Sequence, residues 1–503
     1  MESDLYLRSD LDLSTISGES ATDLIEQLSA LEHEMIQTDI LHQSLIDGSH
    51  PVQQMAARNL LHYLTLRGHD IRGLQDQLHI SGLSSLASSE SHIHSQLQAI
   101  LQRLGKHYED EELDECTYQN SLYDTKQKSL SLFGAKNDPG IPYIMVTFDT
   151  SFADDYGQIK NLLQNGMNVA RINCARDSET KWAKMIHLVR KACRQTGLKC
   201  KIYMDLAGPK IRTRLLTKGK KKGSVKVKEG QLIWLAEHVN DPDQNDIMIS
   251  CTEKGIISQL KKGEKVLFDD GVVRGNIEIV KKDKVGVRIL RVSSAKSNIQ
   301  EKKGINFPES ILTIPSLTKF DKECLPFICE YADLVGFSFV RNAGDIALLQ
   351  NKISQITDHP PRLIIKIELP EAVKNLPSLL FQGMKQETFG VMIARGDLAV
   401  EIGFERMSEV QEEILWISEA AHAPVIWATQ VLETLNKSGM ATRSEITDAA
   451  HAVMAECVMI NKGTHTIEVI ETLRDILQRS GGHHVKKRFI FRPLSIAQKF
   501  LSS

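Results

Sequence analysis

From residue 141 onward the sequence alternates short β-rich runs with segments of helical length and period, and it does so eight times. The candidate strands are Ile141–Thr147, Asn168–Asn173, Lys201–Asp205, Asp333–Phe339, Arg362–Glu368, Thr388–Ala394, Val425–Thr429 and Cys457–Asn461. Helical patterns follow most of them, over Tyr156–Gln164, Glu179–Thr196, Met407–Ala421, Ser444–Ala455 and Thr466–Gln478. Strands separated by helices pair in parallel. Eight such units predict an α/β chain with a (β/α)8 TIM barrel over 139–213 and 311–479, whose functional residues gather at the C-terminal strand ends.

One repeat is interrupted. Between Arg214 and Ser310 lie the Lys218-Gly-Lys-Lys-Lys-Gly run and short alternating stretches at Ser224–Val227, Leu232–Leu235, Lys265–Phe268, Gly275–Val280 and Val285–Ile289. They predict a small β-barrel domain, 214–310, inserted after the third strand. With 20 Lys plus Arg against 13 Asp plus Glu, it is either a solvated basic surface or a lid over an anionic ligand.

Residues 1–138 form a different text, holding nine of the 17 histidines and reading as an α-helical extension. Met55, Leu60, Tyr63, Leu64 and Leu66 fall largely on one helical face, and Ile93, Leu97, Ile100, Leu101 and Leu104 repeat behind a cap at Ser88-Ser89-Glu90. The acidic stretch Tyr108 to Glu115 is expected to end the extension. His62 and His69 are seven apart and His92 and His94 two apart, with no cysteine or paired carboxylate to complete a metal shell, so these histidines read as solvated helix faces. A short tail, 480–503, carries the basic run Lys486 to Arg492.

At 503 residues the chain is long enough for two or three cores. A formal charge of −3 argues against a polybasic nucleic-acid or membrane binder. No apolar run reaches 18 residues, and Met1-Glu2-Ser3-Asp4 is acidic where a secretory leader is basic and then apolar, so a cytoplasmic protein is expected. The eight cysteines are scattered without a C-x-x-C pair and read as reduced core residues.

The strand ends are polar: Arg171 and Asn173 on the second, Asp205 on the third, Lys366 and Glu368 on the fifth, Arg395-Gly396-Asp397 on the sixth and Thr429 on the seventh. Lys366 and Glu368, two apart, share a strand face. Glu368 and Asp397 offer hard oxygen ligands suited to Mg²⁺ or Mn²⁺. Two arginines, a lysine and a divalent metal suit a phosphorylated carboxylate.

Gly166-Met-Asn-Val-Ala-Arg-Ile-Asn173, Asp205-Leu-Ala-Gly-Pro-Lys-Ile-Arg-Thr213, Asp269-Asp-Gly271, Lys303-Gly-Ile-Asn-Phe-Pro308, Ile365-Lys-Ile-Glu368, Ala394-Arg-Gly-Asp-Leu398, Ala428-Thr-Gln430 and Thr442-Arg-Ser-Glu445 resemble, in order, the pyruvate kinase family. The resemblance implies phosphoryl transfer from phosphoenolpyruvate to ADP, giving pyruvate and ATP. It implies metal at Glu368 and Asp397, Lys366 on the moving phosphoryl group and the enolate, and Arg171 on phosphate. Backbone amides of Ala394, Arg395, Gly396 and Asp397 would meet the substrate carboxylate. Thr429 would lie on the protonation route, and Asn173, Arg176, Arg212 and Lys303 would face the nucleotide. A homo-oligomer is expected.

The sequence also departs from the family. Its Thr-Ile-Gly-Pro reads Thr147-Phe-Asp-Thr150, its Asn-Phe-Ser-His reads Asn173-Cys-Ala-Arg176, and its Ser-Gly-Glu-Thr reads Asn461-Lys-Gly-Thr464. Only about 25 residues follow Leu477, so the regulatory domain that the family carries after the barrel is not expected here. Ala175 and Leu206 replace oxygen donors for a monovalent cation, and Lys210 stands where cation-dependent members resemble one another in carrying glutamate. Together with Asp205, Lys210 is expected to substitute for potassium. Alternatives are a metal-dependent enolate or 2-oxo acid enzyme with poor ADP use, and a non-catalytic metabolite-binding protein.

Overall fold

The computed structural model describes residues 18–136, 138, 140–216, 223–238, 246–293, 298–481, 484–485 and 488–489. The Lys218 to Gly223 run, apart from its last residue, and most of the basic tail lie outside them. The chain divides into two compact units. One comprises the described residues up to Lys126 together with Glu419–His422, and the other the remainder.

In the larger unit eight parallel strands close a barrel: β1 (Tyr143–Thr147), β2 (Met167–Asn173), β3 (Lys201–Asp205), β4 (Leu334–Phe337), β5 (Arg362–Ile367), β6 (Phe389–Ala394), β7 (Val425–Ala428) and β8 (Cys457–Ile460). Each pairs with its neighbours in sequence, and β1 pairs with β8 to close the ring. Nearly every strand residue is buried, as expected of parallel strands covered by helices on one side and filled within on the other. Met145, Val169, Tyr203, Ile364, Met392 and Ile426 share one interior cluster, which also takes in Leu132 and Phe133.

The predicted strand ends run one or two residues too long. Thr429 and Gln430 have φ of 66° and 57°, so β7 stops at Ala428, and Phe339, with φ of 56°, lies beyond β4. These left-handed residues turn the chain abruptly over the barrel mouth. Such strain is tolerated where surrounding contacts over-determine it.

The inserted residues build a seven-stranded sheet in the order Ile305–Asn306, Lys265–Phe268, Val273–Val280, Lys284–Val292, Leu232–Ala236, Met248–Cys251 and Thr213–Leu215. Asn298–Gln300 pairs separately with Ser224–Lys226. Their apolar faces enclose a core of Ile233, Leu235, Ile249, Val266, Phe268 and Val287. Met248–Cys251 escaped the sequence reading because its four buried residues do not alternate.

The smaller unit contains helices α1 (Gly18–Leu41), α2 (Gln54–Arg67), α3 (Arg72–Ile80) and α4 (Ile93–Arg103). Two expectations are corrected here. The acidic stretch does not end the helical region: its side chains cap a short turn at Asp110–Glu112, and α5 (Tyr118–Phe133) follows. Nor do the histidines line solvated faces. Of the four singled out, His62 and His94 are buried beside Asp39 and Asp114, His92 is buried against Ser91 and Tyr118, and His69 stays exposed, against Glu34. All eight cysteines are free thiols. No described helix is long and apolar enough to cross a membrane.

Candidate active site

Alternation along β5 carries Lys366 and, one step past the strand, Glu368 to the same side of the mouth, where Lys366 Nζ lies 2.9 Å from Glu368 Oε1. The ammonium also donates to Asp205 Oδ2 on β3, at 3.2 Å, and to Ser338 Oγ beyond β4, at 2.7 Å. Arg171 on β2 donates to the same Asp205 oxygen and, at 3.1 Å, to Thr147 Oγ1 on β1. The strand-end residues Arg171, Asp205, Lys366 and Glu368 therefore converge, and all four are buried.

Two cations facing two carboxylates give the cluster its electrostatics. Burial pushes the Asp205 carboxyl up, but Lys366 and Arg171 outweigh it and hold the pKa below the ordinary value. Burial pulls Lys366 down, and Asp205 and Glu368 reverse this, keeping it a charged ammonium. Glu368 goes the other way: burial raises it, and the nearby Asp397 adds to the rise against the opposing pull of Lys366 and the Phe339 amide. The Phe339 N–H donates to Glu368 Oε2 at 2.6 Å, which fixes the carboxylate. Tyr203 OH donates to Asp205 Oδ1 at 3.0 Å, through space left by Gly336, where a Cβ would sit 1.9 Å from that hydroxyl.

Asp397 opens the helix Arg395–Ile402 after β6 and accepts from Lys210 Nζ at 2.5 Å. Lys210 therefore does not simply face solvent, and Asp397 more than offsets the effect of burial to raise its pKa. Glu368 carries an upward-shifted, desolvated carboxyl beside a second carboxylate. This all-oxygen donor pair fits a hard divalent cation, whose charge would relieve their repulsion.

Backbone geometry modifies one expectation. Of the amides at Ala394 to Asp397, that of Gly396 is spent on Thr429 Oγ1, at 2.7 Å, which ties Thr429 to the start of this helix. Arg395 turns away: its guanidinium donates to the carbonyls of Ala428 and Thr429, pairs with Asp448 and stacks on Trp427.

The residues expected at the nucleotide lie farther apart. Arg176 is exposed, and its carbonyl accepts from the Trp182 indole. Asn173 Oδ1 accepts from the Ala175 amide, closing its own turn. On the inserted domain, Lys303 pairs with Asp269 at 3.1 Å and Arg212 donates to the Lys302 carbonyl at 3.1 Å. Asp149 accepts from the Ser151 amide, and Asn436 holds the Asn461–Thr464 loop by its Nδ2, at 2.6 Å from the Asn461 carbonyl.

Sequence reasoning overlooked Ser338 and Glu401. Ser338 follows β4, and the polar residue past that strand was the available signal. Glu401 accepts from Asn306 Nδ2 at 2.6 Å in a cleft of about 320 Å³ shared with Lys210 and Arg341. Burial, the largest cause, pushes its carboxyl up to about 7. No local pattern announces it.

Residues 143–468, more than half of the chain, match the family described as pyruvate kinase, barrel domain. The chain belongs to the pyruvate kinase family. It is 30% identical to the pyruvate kinase of Bacillus licheniformis over 332 residues, 64% of this chain and 54% of that protein. It is 32% identical to that of Dictyostelium discoideum over 329 residues, 63% of this chain and 62% of the relative. A crystal structure of a pyruvate kinase from Cryptosporidium parvum aligns with a TM-score of 0.61 at 27% identity, covering 70% of this chain and 72% of that one. The chain thus spans a little over half the length of its bacterial relatives in this family.

Proposed function

We propose that this member of the pyruvate kinase family transfers the phosphoryl group of phosphoenolpyruvate to ADP. The observation that carries this reading is the buried Lys366 ammonium, held between Asp205 and Glu368 with Arg171 alongside. Such a constellation neutralises a phosphate and an adjoining enolate oxygen, and phosphoryl transfer is mainly charge stabilisation and positioning. Glu368 and Asp397 would hold Mg²⁺ or Mn²⁺, which when bound supplies positive charge to the substrate's oxygens.

In this mechanism Arg171 and Lys366 grip the phosphate, while the free amides opening the helix Arg395–Ile402 meet the carboxylate. The bond between phosphorus and the enol oxygen breaks as one forms to a terminal ADP oxygen. Lys366 stabilises the electron pair left on the enolate. The enolate carbon then takes a proton by the route containing Thr429, which completes pyruvate. Arg212, bonded to the Lys302 carbonyl, and Lys303 are the nucleotide-facing cations in this reading, together with Arg176.

A coupled assay for pyruvate formation across a panel of nucleoside diphosphates tests the reading. Mg²⁺-dependent turnover lost on Glu368→Gln supports it, and no pyruvate with any nucleotide overturns it. A second reading, metal-dependent decarboxylation of a 2-oxo acid with poor ADP use, draws on the Asn461–Thr464 loop, which Asn436 holds and which carries no carboxylate. Oxaloacetate decarboxylation in the same preparations separates the two.

Potassium is not required in this proposal. Ala175 offers no side-chain oxygen, Leu206 is buried, and the Lys210 ammonium, bonded to Asp397 Oδ1, brings a positive charge of its own. Turnover is expected to be equal in sodium, potassium or tetramethylammonium salts at fixed ionic strength. Severalfold activation by potassium overturns this assignment.

A further inference from the structure

The smaller unit encloses polar groups with no part in phosphoryl transfer. His62 on α2, His94 on α4 and Asp114, in the loop before α5, each turn one ligand atom toward a common point, all three within 4.8 Å of one another. His62 is 1% exposed, and its Nδ1 has no hydrogen-bond partner. That nitrogen lies 3.7 Å from Asp114 Oδ2, and His94 Nδ1 lies 2.7 Å from the same oxygen.

The outward-facing groups fit a metal shell. A ligating imidazole ordinarily presents its other ring nitrogen to a carboxylate, which sets tautomer and ring orientation. Asp39 Oδ2 stands at hydrogen-bond distance, 2.9 Å, from His62 Nε2, and Glu32 Oε1 lies 3.5 Å from His94 Nε2 without bonding it. Asp114 is fixed in turn, since its Oδ1 accepts from the Cys116 amide at 2.7 Å. Glu32 is anchored by Lys106 at 2.6 Å and by Tyr108 at 2.9 Å.

The spacing agrees with the chemistry. Ligands about 2.0–2.1 Å from a tetrahedral zinc lie about 3.3 Å from one another. The two distances to Asp114 Oδ2, 2.7 and 3.7 Å, bracket this value, while the three ligand atoms together span up to 4.8 Å, so the two imidazoles would draw closer to each other to seat an ion. Two imidazole nitrogens and one carboxylate oxygen favour zinc over magnesium or calcium.

We propose that His62, His94 and Asp114 form a Zn²⁺ site in the helical unit, bound through His62 Nδ1, His94 Nδ1 and Asp114 Oδ2 with a water as the fourth ligand. The ion would tie α2, α4 and the acidic loop together. The competing occupant is a proton held between His94 and Asp114, which would leave the His62 nitrogen unpaired.

The test uses the full chain, stripped with a chelator and titrated with Zn²⁺ or Co²⁺ in millimolar Mg²⁺. The Mg²⁺ fills oxygen sites in the barrel but competes poorly for imidazole. One equivalent of Zn²⁺ is expected to bind, raising the melting temperature, and Co²⁺ should give visible absorption of a four-coordinate site. His62→Gln should abolish that equivalent, Asp39→Asn weaken it 10- to 100-fold, and His69→Ala leave it intact. If His62→Gln fails to fold, X-ray absorption of the zinc-loaded wild type decides, with two imidazoles in the first shell expected. No bound equivalent, undiminished binding in a folded His62→Gln protein, or a first shell lacking two imidazoles overturns the site.

Discussion

Lys366 and Glu401 are both buried titratable groups, and their surroundings set opposite expectations. The Lys366 ammonium neutralises Asp205 and Glu368; in the proposed reaction its charge would be needed most when the phosphoryl group is in transit. Lys366→Ala is therefore expected to lower kcat by roughly 100- to 1,000-fold with a much smaller change in KM for phosphoenolpyruvate. An effect confined to KM in steady-state assays would contradict that role. Glu401, held near 7 in the folded chain against an ordinary 4.5, binds more protons folded than unfolded between these values. Stability should accordingly fall as pH rises from about 4.5 to 7 and stay level above. Glu401→Gln should remove that slope and add at most about 3 kcal/mol at pH 8. Urea unfolding at pH 5 and pH 8 in metal-free buffer would check both. Lys366 and Glu368 were legible from their spacing on one strand, whereas Glu401 was not, because its shift arises from burial in a cleft whose walls are far apart in sequence.

At the level of the element, β4 illustrates how a missing side chain can position a present one. Gly336 lets the Tyr203 hydroxyl pass and reach Asp205 Oδ1, which fixes the carboxylate whose other oxygen receives Arg171 and Lys366. Gly336→Ala places a methyl group against both side chains and should cost about 2–3 kcal/mol by overpacking, read as a lowered urea midpoint at unchanged m-value. It should also depress turnover, by displacing Asp205. All eight barrel strands were readable from hydrophobic runs of the right length, with errors at the ends where positive-φ residues break off the run. The helical histidines misled for a different reason. Periodicity reports which face of one helix is apolar, and it says nothing of carboxylates arriving from a loop twenty residues downstream, as Asp114 does for His94.

For the whole molecule, the barrel and the inserted domain set which ligand the chain can hold between them. Lys303 and Arg212 sit on the inserted domain and Lys210 at its root, while Asp149 and the Asn461–Thr464 loop belong to the barrel. In the proposed reaction, replacement of the family's tight turn and of its loop carboxylate would leave ADP with fewer fixed contacts. ADP alone is expected to bind more weakly than micromolar in calorimetric titration, and micromolar or tighter binding would show that Arg176 or the inserted domain compensates.

The four residues Glu419–His422 belong to the helical unit although they immediately precede β7. Within that unit, the His422 ring lies 2.8 Å from Asp124 and 2.7 Å from the Ser91 carbonyl, and Asn59 donates to the Ala420 carbonyl. Asp124 and His422 are 298 residues apart. A ribosome adding 5–20 residues per second would need roughly 15 to 60 s to make that stretch. The helical unit, made before the barrel, is thus completed only once most of the barrel has been synthesised.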